Sequence, residues 1–386
     1  MAVLSKGSLF APELVSDLVN KVNGKSSLAV MTAQTPIPFN GQKEFVFTMD
    51  SEIDVVAENG EKSHGGITLT PRTIVPIKVE YGARVSDEFM YAAEEERINI
   101  LKAFNDGFAR KVARGLDLMA MHGINPRTGL ASTVIGANHF DATVSQKVSY
   151  NSANPDENIE SAVALVQGSG GDVNGMVMAP AFSAALAGYK VNNVRQFPEL
   201  AWGANPGSIN GLRVDINKTV SDAGSDKAIV GDFANAFRWG YAKEVPMEVI
   251  EYGDPDNSGN DLKGFNQVYL RAELYLGWAV LDAEAFARIV TPEVVALTLA
   301  QVGGTTGSVD STAIKLTFDK DIVGLTADHI TLADGTGKAT KGALTGSGKV
   351  YSLAITEVDE GTVAVTVAGL GGYTFPDAQN VTVFSD

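Results

Sequence analysis

Residues 45–122 join an extended ribbon to a long amphipathic helix, and no other part of the chain restricts the fold as much. Phe45-Val46-Phe47-Thr48-Met49 has the aromatic and β-branched composition of a strand. Glu58-Asn59-Gly60-Glu61-Lys62-Ser63-His64-Gly65-Gly66 is polar and glycine-rich, which predicts a hairpin tip. Ile67-Thr68-Leu69-Thr70 alternates in polarity, and residues 74–83 read as the returning strand. Pro71 and Pro76 lie in that returning limb. Proline gives no N–H to a ladder, so the limb belongs at an edge or in an unpaired ribbon. The middle of the ribbon is too charged for a buried sheet, and it has no layer of its own to pack on. The chain therefore reads as a subunit that reaches over its neighbours.

Ser86-Asp87-Glu88-Phe89 predicts the helix start, with an N-cap serine and acidic residues in the first turn. Leu101, Phe104, Phe108, Val112, Leu116 and Met119 recur at spacings of three and four, one apolar stripe. Glu94-Glu95-Glu96 lies early, while Arg110, Lys111 and Arg114 lie late, a polarity that complements the helix dipole. Gly123 and Pro126 end it. About 35 residues at about 1.5 Å each give roughly 50 Å, long for a globular helix.

Residues 1–44 read as an arm, with a short helix expected over 12–22 and extended backbone at Thr35-Pro36-Ile37-Pro38. Residues 127–154 are a polar connection. Helices are expected over 155–167 and 180–190, the second with Pro180 in its first turn. Strands are expected at 173–178, 212–216, 228–230 and 237–241, an α+β pattern. Val268, Leu270, Ala272, Leu274, Leu276 and Trp278 alternate with Tyr269, Arg271, Glu273 and Tyr275, a strong strand signal. Asp282 is expected to cap a short helix over 283–289. From Pro292 the texture changes to short alternating strands at 295–299, 313–318, 330–332, 351–355, 362–367 and 381–384, with glycine-rich turns and no helix. That spacing predicts a β-sandwich of immunoglobulin-like type, here without a core disulfide.

The chain has 386 residues, enough for two or three domains of about 100–200 residues each. It contains no cysteine, which excludes disulfides, thiolate metal sites and thiol nucleophiles. No window approaches the roughly 18 apolar residues of a membrane span, and no signal peptide is expected. The net charge of −16 argues against a protein that coats nucleic acid over its whole surface. Lys6, Lys21, Lys25 and Lys43 outnumber Glu13 and Asp17 in the arm, which could face a polyanion or be a solvated terminus.

Catalytic equipment is sparse. His64, His122, His139 and His329 are scattered, with no His-Glu-x-x-His motif. Ala343-Leu344-Thr345-Gly346-Ser347-Gly348-Lys349-Val350 resembles a phosphate loop, but Ala343 and Val350 replace its required glycine and hydroxyl residue, so a hairpin turn is expected. Asp254-x-Asp256-x-Ser258-Gly259 matches the first half of a calcium loop, yet Phe265 stands where the bidentate glutamate belongs. A solvated loop is expected there. Glu94, Glu95 and Glu96 suit a solvated helix face or, in a shell, a contact with a neighbour's basic patch around Lys62 or Arg72. No catalytic residue, cofactor or metal site is expected, and the chain does not read as an enzyme.

In order, arm, extended loop, long helix, α+β domain and return strand, residues 1–290 resemble the major capsid proteins of tailed bacteriophages, the HK-ninety-seven fold shared with encapsulins and the herpesvirus capsid floor. Arg271-Ala272-Glu273-Leu274-Tyr275-Leu276-Gly277-Trp278-Ala279-Val280 followed by Asp282-Ala283-Glu284-Ala285-Phe286-Ala287 is similar to the family's closing segment. Ile314-Lys315-Leu316-Thr317-Phe318-Asp319-Lys320 with Gly324-Leu325-Thr326-Ala327-Asp328-His329-Ile330-Thr331 resembles bacterial immunoglobulin-like repeats. The resemblance implies an α+β fold with a shell domain at 1–291: arm 1–44, extended loop 45–85, spine helix 86–122, apical domain 155–262 and peripheral return 263–291. An immunoglobulin-like decoration follows at 292–386. It further implies pentamers and hexamers closing into an icosahedral shell around double-stranded DNA that is contacted weakly. Scaffolding and portal proteins are the expected assembly partners, and host-surface or glycan contact is expected through the sandwich. Membrane insertion is not expected. The expected location is the virion, after assembly in the host cytoplasm. Lys62 lies on the loop through which some members cross-link, but no asparagine partner or catalytic glutamate can be placed, so no cross-link is expected. An encapsulin-like compartment and a bacterial surface protein are the alternatives.

Overall fold

The computed structural model describes residues 26–49, 51–91, 94–222 and 224–386. The helix expected over 12–22, and Lys6, Glu13, Asp17, Lys21 and Lys25, lie outside these residues. The first helix, α1 (Ser27–Met31), is opened by Ser26, whose hydroxyl accepts from Ala29 N. The ribbon follows as β1 (Gln42–Met49) and β2 (Ile67–Ile74), antiparallel with Phe45 opposite Pro71. Then come β3 (Ile77–Ser86), the long helix α2 (Glu94–His122), the one-turn helix α3 (Phe140–Thr143) and β4 (Lys147–Ser149). Next are α4 (Pro155–Gly168), β5 (Gly175–Met178), α5 (Pro180–Gly188) with proline in its first turn, and the small hairpin β6 (Lys190–Val191) and β7 (Val194–Arg195). The chain continues through β8 (Ser208–Ile209), β9 (Leu212–Ile216), β10 (Asp226–Gly231), β11 (Phe237–Ile250), β12 (Gln267–Val280) and β13 (Phe286–Val290). The remaining strands are β14 (Glu293–Val294), β15 (Leu297–Val302), β16 (Ala313–Ile322), β17 (Ile330–Asp334), β18 (Lys338–Asp359), β19 (Gly361–Val367), β20 (Tyr373–Thr374) and β21 (Gln379–Val383).

Three expectations need correction. The ribbon ends at Ile74, because residues 77–86 instead join β12 in a three-stranded sheet ordered β11-β12-β3. The long helix does not begin at Ser86. Ladder pairing continues to Ser86 opposite Gln267, and Asp87 N donates to Asn266 O, which holds the backbone extended; Ser86 Oγ accepts from Glu88 N at the head of a 3₁₀ turn, and α2 starts at Glu94. Its 29 residues span roughly 43 Å at about 1.5 Å each. Finally, residues 283–289 are not a helix. Asp282 Oδ1 accepts from Glu284 N, but Phe286, Ala287, Arg288, Ile289 and Val290 are all buried, the continuous run of a strand covered on both faces.

The chain forms two compact units. The first comprises the described residues up to Val144, with Val163–Gly224 and Ala228–Phe286; the second comprises Ser145–Ala162, Ser225–Lys227 and Ala287–Asp386.

In the first unit β5 pairs antiparallel with β10 and parallel with β9. Phe108, Val112 and Leu116 of α2 pack with Phe140, Phe233, Phe237, Trp239, Leu276, Trp278 and Phe286 in one core. The first half of α2 buries only a stripe, while residues 115–122 are buried on every side. That run contains one acid, Asp117. It accepts from Ser26 Oγ, from Ser27 N at 3.0 Å and Leu28 N at 3.2 Å, and from Thr219 Oγ1 at 2.8 Å and Asn217 Nδ2 at 3.3 Å. The arm beyond α1 runs along β11, with Thr35 N donating to Trp239 O and Ile37 N to Tyr241 O. A Cβ on Gly240 would collide with Thr35 O, so this approach requires glycine.

In the second unit β13 pairs in parallel with β4. Two three-stranded sheets, β15-β16-β18 and β17-β19-β21, share a core in which Leu297, Ile314, Leu316 and Leu353 meet Ile330, Val363, Val365 and Val383. The strand β18 folds back on itself. Thr345 Oγ1 donates to Ser352 O at 3.4 Å, a Cβ on Gly346 would collide with Val350 O, and Gly348 has φ +64°. The phosphate-loop lookalike is thus a hairpin tip. A 3₁₀ turn at Ala327–His329 interrupts the otherwise all-β segment.

Burial pushes the Asp117 carboxyl up to about 6 from its ordinary 3.8. Between about pH 4 and pH 6 the folded chain holds a proton that the unfolded chain has released. Asp117 therefore contributes most below pH 4, and its contribution falls as pH rises to 6, by up to about 3 kcal/mol. In denaturant titrations the stability of wild type relative to Asp117→Asn should rise between pH 7 and pH 4. A constant difference across that range would refute the assignment.

Candidate assembly surface

Directly opposed residues of an antiparallel ladder point to the same face. On the ribbon, Phe45 opposes Pro71 and Met49 opposes Ile67, with Leu69 between, so one face carries only apolar side chains at these positions. Phe45, Met49, Ile67 and Leu69 are 51–68% exposed. The opposite face carries Glu44 against Arg72 and Gln42 against Ile74. It is tied to the body at its root. Glu44 lies 3.7 Å from Arg238, and Ile74, 1% exposed, packs with Ile37 of the arm and Ala279 of β12. The root is therefore fixed while the apolar face is uncovered among the described residues. Two-stranded ribbons are marginal alone in water, and an apolar face of this size needs a partner.

The five residues expected at contacts fall on two elements, the ribbon and α2. Lys62 is in the exposed segment between the strands, Arg72 is exposed on β2, and Glu94, Glu95 and Glu96 form the first turn of α2. The oxygens of the calcium-like loop are engaged within the fold. Asp254, Asp256 and Ser258 converge on the guanidinium of Arg84 from β3: Nη2 donates to Asp254 Oδ1 at 2.6 Å, Asp256 Oδ1 at 2.5 Å, Ser258 Oγ at 2.6 Å and Asn260 O at 2.9 Å. An internal cation occupies the loop's oxygens. His122 is likewise engaged within the fold, with Nε2 donating to Thr219 O and Nδ1 2.9 Å from Asp141 Oδ2.

A model of the phage capsid family matches residues 6–291. The chain belongs to the phage capsid family. A solved structure from Mycobacterium phage Ogopogo is 31% identical, covers 69% of this chain and 92% of its own, and superposes with a TM-score of 0.59. One from Gordonia phage Cozz is 23% identical, with coverage of 69% and 87% and a TM-score of 0.59. The capsid of an empty GTA particle is 17% identical, with coverage of 69% and 90% and a TM-score of 0.50. The last two bear on the fold alone. No curated protein matches the chain. The role of this capsid protein is accordingly structural, and its place is the virion.

Sequence reading missed three features of the capsid protein. Asp117 had a signal, a lone acid in Leu116-Asp117-Leu118-Met119-Ala120-Met121. The Arg84 clamp had none, because its partners lie about 170 positions away. Nor did the buried pair of Arg288 and Asp226, where Arg288 Nε and Nη2 donate to the carboxylate at 2.7–3.2 Å.

Hydrogen bonding from Arg84 holds the Asp256 carboxyl down to about 2. A depressed carboxyl stabilises above its unfolded value, so the clamp should persist until pH falls below about 4 and be lost toward pH 2. Arg84→Ala should abolish hydrogen-exchange protection in residues 254–261 at neutral pH while leaving α2 protected. Unchanged protection in that loop would contradict the clamp.

Proposed function

We propose that the chain is the shell-forming subunit of a tailed phage, closing as pentamers and hexamers into an icosahedral container for double-stranded DNA. The uncovered apolar face of the ribbon, together with membership of the phage capsid family, carries this reading. A neighbouring copy would supply the layer that the ribbon lacks, and closed symmetry would satisfy every copy equally. Burying a Phe, Leu, Ile or Met side chain contributes about 1.5–3 kcal/mol, so each ribbon brings several such increments to assembly. Lys62, Arg72 and Glu94 to Glu96 would fix register through charge pairing between copies. The acidic body supports weak contact with the packaged DNA, and scaffolding and portal proteins would assist closure in the host cytoplasm.

The family match ends at Thr291. Two facing three-stranded sheets with a common core support an immunoglobulin-like reading for residues 292–386. Such a domain would project from the shell and meet host or glycan surfaces.

Electron microscopy of the chain expressed alone and with a scaffold should reveal closed polyhedral shells. Leu69→Glu, with its charge on the apolar face, should reduce their yield at least about tenfold while the subunit stays folded by circular dichroism. Shells formed equally well by Leu69→Glu would remove the ribbon from the assembly surface.

A further inference from the structure

Trp202 combines three properties seldom found together. It is 99% exposed, while the other two tryptophans, Trp239 and Trp278, are 1% and 0% exposed. Its backbone is left-handed, at φ +59° and ψ +29°, a conformation that L-residues with bulky side chains avoid. It also stands at the lip of a half-open groove of about 460 Å³ with Pro180, Ala184, Ala187, Leu200 and Ile216 in its walls. The fold thus holds an indole out into water beside an apolar groove with room for one.

The charges around this patch are complementary. Arg195 lines the groove, and Glu199 stands three residues before Trp202. Neither has an ion-pair partner among the described residues. The knob and the groove form one patch with a cationic wall and an acidic flank, so the patch is self-complementary and suits a two-fold contact in which two copies exchange knobs.

We propose that Trp202 is an anchor between copies of this chain, inserted into the neighbour's groove at residues 180–216, with Glu199 of one copy facing Arg195 of the other. The proposal rests on the shell-subunit reading and names a specific contact within it. A single tryptophan covers about 150–250 Å², well short of a stable interface, so it acts as one energetic centre among the contacts between copies.

Tryptophan fluorescence of the full chain tests this directly. In the dissociated subunit, iodide should quench the red-edge emission of Trp202 and leave that of Trp239 and Trp278. In assembled shells that emission should shift to the blue and resist iodide. Trp202→Ala should keep the blue emission of the two buried tryptophans, which reports an intact fold, and lower shell yield about tenfold. Arg195→Glu and Glu199→Arg should each lower the yield, and the double variant should recover it, because the two charges meet between copies. Shells that form normally while Trp202 stays open to iodide would overturn the anchor and leave the shell reading standing. The same result with protection appearing only on adding another phage protein would give the groove a different occupant and overturn it too. A wild type that forms no shells alone or with scaffold would overturn both.

Discussion

A carboxylate buried with no cation beside it among the described residues holds the first unit in register. Asp117 accepts from the first turn of α1 and from the turn at residues 217–219, so one side chain ties the arm, the long helix and the turn after β9. Removing it would leave the N–H groups of Ser27 and Leu28 buried without a partner, and each such loss costs about 1–3 kcal/mol. From α1 the restraint passes along the arm. Thr32 Oγ1 donates to Phe233 O, Trp239 Nε1 donates to Thr32 O, and Ile37 closes over Ile74 at the ribbon root. The ribbon leaves the body where it does because the arm fixes its base.

That geometry sets the balance between subunit and assembly. A ribbon rooted at Ile74 but bare on its apolar face cannot lower its free energy by folding back, since its root is held by Ile37 and Ala279 and its polar edge by Arg238. On the shell-subunit reading, association covers that face. The exposed segment between its strands holds Ile53 and Val55 in water as well, set among Glu52, Asp54 and Glu58.

Elements with their own periodicity were legible in the sequence. The alternation of β12 follows from burial on one side and half-burial on the other, and α5 follows from Pro180 and a short apolar run. The misread segments are those in which local preference lost to a distant partner. Asp282-Ala283-Glu284-Ala285 has the composition of a helix start, but the next five residues are buried from both sides and take β4 as a ladder partner. Ser86 has the chemistry of a cap and uses it on a 3₁₀ turn, while ladder pairing to β12 decides its backbone. The same logic governs the candidate sites. The ribbon face could be read from Ile67-Thr68-Leu69-Thr70, whereas the meaning of Asp254-x-Asp256 depended on Arg84, which spacing cannot reveal.

The compositional break at Pro292 and the packing boundary do not coincide, and the contacts within the second unit explain why. Gly372 N donates to Ser149 Oγ at 3.0 Å, Glu293 N donates to Gly372 O at 2.9 Å, and Lys147 lies 5.8 Å from the Tyr373 ring centre. A Cβ on Gly371 would collide with Lys147 O, so the two backbones touch with no side chain between them. The connection at residues 291–296 is itself paired, through β14 with β20 and through Val295 N to Thr374 O. A flexible tether would leave those backbone groups to water. Here they are spent on β4 and β20, so the sandwich is seated on the strand that precedes α4. Residues 145–162 therefore group by contact with the C-terminal segment, although more than a hundred positions separate them in the sequence.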